Sequence, residues 1–186
     1  MKVYTSREQW EPRLLELSSR RYDEAIISTY NLYVGVSDSG EVKERAETAN
    51  VQALLKNLNA SKKTSVLVGI PFYSPCCSWK DGPCPPCTKQ RASLLGRIAG
   101  TKEAYQNIRW HYTYQWHLKA YLFRHGPIWK GLFGGVNLSA SNWDDALVDI
   151  IGGSAEQLAT LIKSRIAESP LVSAEELATN GYCKRN

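Results

Sequence analysis

The chain has 186 residues, 43% of them hydrophobic and 22% charged, an ordinary composition for one globular domain with a substantial core. No apolar run approaches the roughly 18 residues that a membrane span needs, and residues 1–13 are charged where an export signal would be apolar. These features exclude a membrane-spanning helix and give the expectation of a soluble, cytoplasmic protein with no membrane partner. Lys and Arg outnumber Asp and Glu by 23 to 18, a net charge of +5 that favours a polyanionic partner and equally suits a solubilising surface.

Along the chain, residues 7–21 carry Trp10, Leu14, Leu15 and Leu17 among charges, the spacing of an amphipathic helix. Residues 24–34 are rich in β-branched and aromatic side chains and read as a strand, and residues 44–58 as a helix. The run 64–72 is continuously apolar, the pattern of a strand buried on both faces in a parallel sheet. A cysteine-rich loop insertion at 74–90 leaves from its end. Residues 91–106 have helical spacing at Leu94, Leu95, Ile98 and Ala99, weakened by Gly96 and Gly100.

From Ile108 the pattern alternates strictly, with room for a turn to interrupt the run and with a clear phase around His117 and Lys119. Ile108, Trp110, Tyr112, Tyr114, Trp116, Leu118, Ala120 and Leu122 share one face of an extended chain, while Arg109, His111, Thr113, Gln115, His117 and Lys119 share the other. Further strands are expected at 131–136 and 146–151. A helix over 155–167 follows, capped by Ser154 and stopped by Pro170, before a polar tail at 174–186. There is no internal repeat or low-complexity linker, so residues 1–186 are expected to form a single domain.

His117 and Lys119, two apart on an expected strand, leave the same face with α-carbons roughly 6.6 Å apart and can address one phosphate. Asn137 and Ser139 repeat that spacing just after Gly134 and Gly135, where the chain can approach a ligand closely. The set supplies an imidazole, a cation, an amide and a hydroxyl. Phosphodiester cleavage needs such groups, because a negative phosphate repels nucleophiles and the charge developing on it must meet fixed donors. Imidazole can attack phosphorus or protonate the leaving oxygen.

His117-Leu118-Lys119 followed by Gly134-Gly135-Val136-Asn137-Leu138-Ser139 resembles the signature of the phospholipase D superfamily, in its single-motif nuclease branch. Asp144, with Asp145 as the alternate, is similar to the acidic residue that such nucleases carry before a strand. The resemblance implies an α/β fold whose mixed, largely parallel sheet is sandwiched between helices. It implies catalytic roles for His117, Lys119, Asn137, Ser139 and Asp144, a phosphohistidine intermediate, and no metal in the chemistry. Because the chain has one motif where the reaction uses two, it also implies a homodimer with its site across the two-fold axis. The implied activity is that of an endonuclease acting on DNA or RNA. Two alternatives are a phospholipid-acting hydrolase and a catalytically inactive nucleic-acid-binding module. The chain departs from the family pattern at Arg124 and His125, where an aspartate is usual, and at Gly135, where a serine is usual.

Cys76, Cys77, Cys84 and Cys87 cluster in the loop insertion. Cys84-Pro85-Pro86-Cys87 has the spacing of a metal-binding knuckle, completed by Cys76 or Cys77 and by Cys183 or another residue. Structural zinc is the first reading of the cluster, with disulfides or free thiols as the others. His111 reads as a solvent-facing or hydrogen-bonded strand histidine and His125 as an exposed turn residue. The Trp110, Tyr112, Tyr114 and Trp116 stripe reads as core rather than a base-stacking platform. Lys80, Lys89, Arg91, Arg97 and Lys102 could track phosphates or simply face solvent.

Overall fold

The computed structural model describes residues 1–30, 32–33, 49–70, 98, 100–114, 116–139 and 145–169, with the backbone alone at Tyr33, Ile70, Tyr114 and Ser139. The elements in chain order are β1 (Val3–Tyr4), α1 (Arg7–Ser18), β2 (Glu24–Thr29), β3 (Leu32–Tyr33), α2 (Ala49–Asn59), β4 (Thr64–Ile70), β5 (Ile108–Tyr114), β6 (Lys119–His125), β7 (Ile128–Gly134), β8 (Leu138–Ser139), β9 (Leu147–Ile151) and α3 (Gly153–Ala167).

Seven strands form one sheet in the order β1-β9-β7-β6-β2-β4-β5, and β3 and β8 form a small parallel pair. The sheet is mixed, as expected, but its balance differs from the expectation of largely parallel pairing. Only β2 with β4 and β4 with β5 run parallel, and the other four pairings are antiparallel. One of these four pairs has a local cause. The two-residue turn between β6 and β7, with Gly126 at φ 56°, returns the chain directly as a hairpin, which only an antiparallel pair allows.

Both faces of the sheet are covered, so β2 is buried at all six positions. On one face Trp10, Leu14 and Leu17 of α1 and Leu54, Leu55 and Leu58 of α2 pack against Ile27, Val66, Trp110, Tyr121 and Phe123. On the other, Ala155, Ala159 and Ile162 of α3 pack against Ile26, Leu67, Ala120, Leu122 and Trp129. The expected sandwich of a sheet between helices is present. Burying these side chains supplies the main drive for the two layers, about 1.5–3 kcal/mol for each large apolar group.

Three expectations need correction. The alternating run from Ile108 is interrupted and does not keep one phase: β5 ends at Tyr114 and β6 begins at Lys119. Trp110 and Tyr112 therefore pack on the α1/α2 side, whereas Trp116, Leu118, Ala120 and Leu122 pack on the α3 side. The stretch expected as one strand over 24–34 is likewise divided, with Tyr30 leaving β2 before β3 begins. Finally, Ser154 lies inside α3 rather than capping it. Gly152, at φ 67°, takes the cap position, and its carbonyl accepts from Glu156 N at 2.9 Å.

Cys76, Cys77, Cys84, Cys87, Cys183, Asp144, Pro170, Lys80, Lys89, Arg91 and Arg97 lie outside the described residues. Among the described residues no group of three or more His, Cys, Asp or Glu is placed to hold a metal ion, and no helix is long and apolar enough to cross a membrane.

Candidate active site

The site forms where β2 and β4 end, at the carboxyl edge of the parallel part of the sheet, where chains diverge in α/β folds and leave room for ligands. His117 is not on a strand, contrary to expectation. It is exposed in the segment 116–118 that leads into β6, and Lys119 is the first residue of β6. The two are nonetheless brought together, with Lys119 Nζ 3.2 Å from His117 Nδ1. An ammonium has only donors, so Nδ1 accepts and the neutral ring carries its proton on Nε2.

Three fixtures hold the segment. Trp116 Nε1 donates to Ser28 Oγ at 2.7 Å, and Ser28 Oγ donates to the Leu118 carbonyl at 2.8 Å. Ser28 thus ties the end of β2 to the residues on both sides of His117. From β4, Gly69 lies so close that a Cβ there would fall 1.9 Å from the Trp116 carbonyl oxygen, so only glycine allows the segment to pass.

The second half of the motif meets the same strand end. Asn137 Oδ1 accepts from Tyr30 N at 3.0 Å and from Thr29 Oγ1 at 3.4 Å, and Thr29 Oγ1 accepts from Leu138 N at 2.8 Å. With Oδ1 engaged as an acceptor, the donor chemistry that a phosphate oxygen needs resides on Nδ2. Ser139 is placed by its backbone in β8, paired with Tyr33. Sequence reasoning therefore named His117, Lys119 and Asn137, which the fold gathers around Tyr30, and missed Ser28, Thr29 and Tyr30. The signal was the polar interruption Ser28-Thr29-Tyr30-Asn31 within an otherwise apolar run.

Electrostatics shape the pair. Partial desolvation, aided by the neighbouring Lys119 charge, holds the His117 imidazole below its ordinary range. Desolvation also lowers the Lys119 ammonium, against the opposing pull of Asp145. Asp145 stands beside Gly135: a Cβ on that glycine would fall 2.6 Å from Asp145 Oδ1. The position where the family pattern has a serine is thus crowded by a carboxylate. His111 is outside this cluster, buried in β5 with Nδ1 3.3 Å from the Ser169 carbonyl, and burial holds its ring below the ordinary range. His125 is exposed at the far end of β6.

The chain shares its architecture with known structures. The phospholipase D family member Nuc from Salmonella typhimurium superposes with a TM-score of 0.52 at 14% identity, over 91% of this chain and 95% of that one. The chain has a phospholipase D-like fold. Polyphosphate kinase from Porphyromonas gingivalis superposes with a TM-score of 0.56 at 15% identity over 91% of this chain, which spans 26% of the kinase. No family model matches the chain, and no curated protein matches it in sequence. In this phospholipase D-like fold, the His117, Lys119 and Asn137 cluster lies at the strand ends described above, with Gly134 at the end of β7 paired to Lys119.

Proposed function

We propose that this chain is a phosphodiesterase, and specifically a metal-independent endonuclease that cleaves DNA or RNA through a phosphohistidine intermediate. The observation that carries the reading is the Lys119 ammonium lying 3.2 Å from the His117 imidazole, beside an Asn137 amide anchored through its oxygen, within a phospholipase D-like fold. A net charge of +5 suits a polyanionic substrate.

The chemistry follows from these groups. When a phosphodiester enters, Lys119 turns its ammonium from Nδ1 to a non-bridging oxygen, and the ring proton moves to Nδ1 by way of solvent. Nε2 then attacks phosphorus, the P–N bond forms and the bond to the leaving oxygen breaks. That oxygen needs a proton from a second acid on the opposite side, and the chain carries one such histidine. We assign the acid to His117 of the partner subunit in a symmetric dimer, whose ring takes a second proton on Nδ1 from solvent once its own lysine has turned to the phosphate, and as an imidazolium gives its Nε2 proton to the leaving oxygen and becomes neutral. Water then attacks phosphorus, gives its proton to that second imidazole and breaks the P–N bond. Asn137 and Lys119 stabilise the equatorial oxygens in both steps, with Ser139 and Asp144 as further members of the set.

Structural zinc at Cys76, Cys77, Cys84 and Cys87 remains a separate proposal, independent of the reaction. The deciding experiment is cleavage of single- and double-stranded DNA, RNA and phosphatidylcholine vesicles in EDTA, with His117→Ala alongside. Cleavage of nucleic acid by the wild type alone supports the nuclease. Cleavage of lipid alone transfers the site to the phospholipase reading, and binding of nucleic acid without cleavage transfers the chain to the inactive module.

A further inference from the structure

Tyr30 is absorbed by none of the roles above, although it touches His117, Lys119 and Asn137. Its ring lies against the His117 imidazole with centroids 3.5 Å apart and planes inclined by 31°. The Lys119 ammonium sits 5.3 Å from the centre of the same ring, within the range of a cation–π contact. Tyr30 N donates to Asn137 Oδ1. Behind the ring, a Cβ on Gly69 would stand 3.3 Å from Tyr30 Cδ2, so the absence of a side chain at Gly69 leaves the ring its place.

We propose that Tyr30 is the positioning residue of the site, fixing the plane of the His117 ring and joining the two halves of the motif. The inference rests on the phosphodiesterase reading for its catalytic consequence, but not for its structural content. His117 lies on a segment outside any strand, exposed to solvent, where its χ angles would otherwise be free to sample rotamers. A ring stacked on one face removes most of those alternatives before substrate arrives. The same residue anchors the Asn137 amide through its backbone, so imidazole and amide are held relative to each other by one side chain and one N–H. A nucleophile displaced by about 1 Å from its line of attack loses about 100-fold in rate, which is the scale of the effect expected from losing this support.

The test compares Tyr30→Phe with Tyr30→Leu. The ring and the backbone N–H make the contacts described, and phenylalanine retains both, whereas leucine keeps apolar bulk but not the stacking face. Two readouts are needed. NMR titration of the three imidazoles, assigned with His111→Gln and His125→Gln, reports the ring current and pKa at His117. Steady-state cleavage reports kcat and KM separately.

Tyr30→Leu is expected to move the His117 ring resonances and to shift its titration toward the ordinary value, while Tyr30→Phe leaves both near wild type. Tyr30→Leu is expected to lower kcat by about 10- to 100-fold with a smaller change in KM, and Tyr30→Phe to restore most of the rate. His117 resonances and titration unchanged in a folded Tyr30→Leu protein would overturn the proposal whatever the activity. So would a Tyr30→Phe protein as impaired as Tyr30→Leu. If the wild type cleaves no phosphodiester but the NMR pattern is as expected, the positioning role stands and the phosphodiesterase reading falls.

Discussion

Gly69→Ala is a sharp test of how the site is built, because Gly69 carries no chemistry and lies on β4, remote in sequence from the motif. The added Cβ would meet the Trp116 carbonyl oxygen at 1.9 Å, where ordinary contact begins at 3.4 Å, so 1.5 Å of relief is needed. The obstructing atom is backbone, and its segment is held by Ser28 through both Trp116 Nε1 and the Leu118 carbonyl. It cannot swing aside as a side-chain tip would. Either β4 shifts, breaking register with β2 and β5, or the 116–118 segment moves and carries His117 with it. Overpacking of this kind costs about 1–3 kcal/mol, which lowers Tm by roughly 2–4 °C per kcal/mol in a chain of this size. Displacing His117 by about 1 Å costs about 100-fold in kcat. Thermal unfolding and cleavage assays on the same preparation separate the two effects. A protein with wild-type kcat and an unmoved His117 resonance would refute the claim that Gly69 makes room for the catalytic segment.

Other outcomes follow from the same geometry. On the proposed mechanism His117→Ala should abolish cleavage while circular dichroism and oligomeric state are retained, because its side chain is exposed and lies outside the hydrophobic core; loss of folding would make it structural. Lys119→Ala and Asn137→Ala should each cost about 100-fold or more in kcat, the scale of one charge-stabilising donor. Mixing wild type with excess His117→Ala and allowing exchange should suppress activity beyond dilution if the site is composite, and simple dilution would remove the dimer from the mechanism. Activity should persist in EDTA, whereas prolonged chelation should lower stability if zinc is bound at the cysteines, with about one zinc per chain by elemental analysis; strict dependence on added magnesium would overturn the histidine mechanism. For pH, the buried His111 ring titrates below its ordinary 6.5, so the unfolded chain binds more protons there than the folded one. Its contribution to stability should therefore be complete above 6.5 and fall as pH drops below it, and denaturant titrations of His111→Gln should show a flatter acid limb.

The sequence by itself determined the layers and the candidate site residues. Amphipathic spacing in α1, the β-branched and aromatic composition of β2, the continuous apolar run of β4 and the turn at His125 and Gly126 are local signals, and local physics decided them. His117, Lys119 and Asn137 were legible as candidates because their residue types and spacing suit the chemistry of phosphate. Tertiary structure alone decided the phase break between Tyr114 and Lys119, since alternation continues across a crossover when both faces of a sheet are buried and each strand fills a different layer. It alone decided the largely antiparallel pairing, because strand order depends on which connections return across the sheet and periodicity is blind to that. It also decided that Tyr30, 87 positions before His117, would lie on its ring. A residue whose role is to hold another has no chemistry of its own to reveal it, and becomes visible only when distant strand ends are packed together.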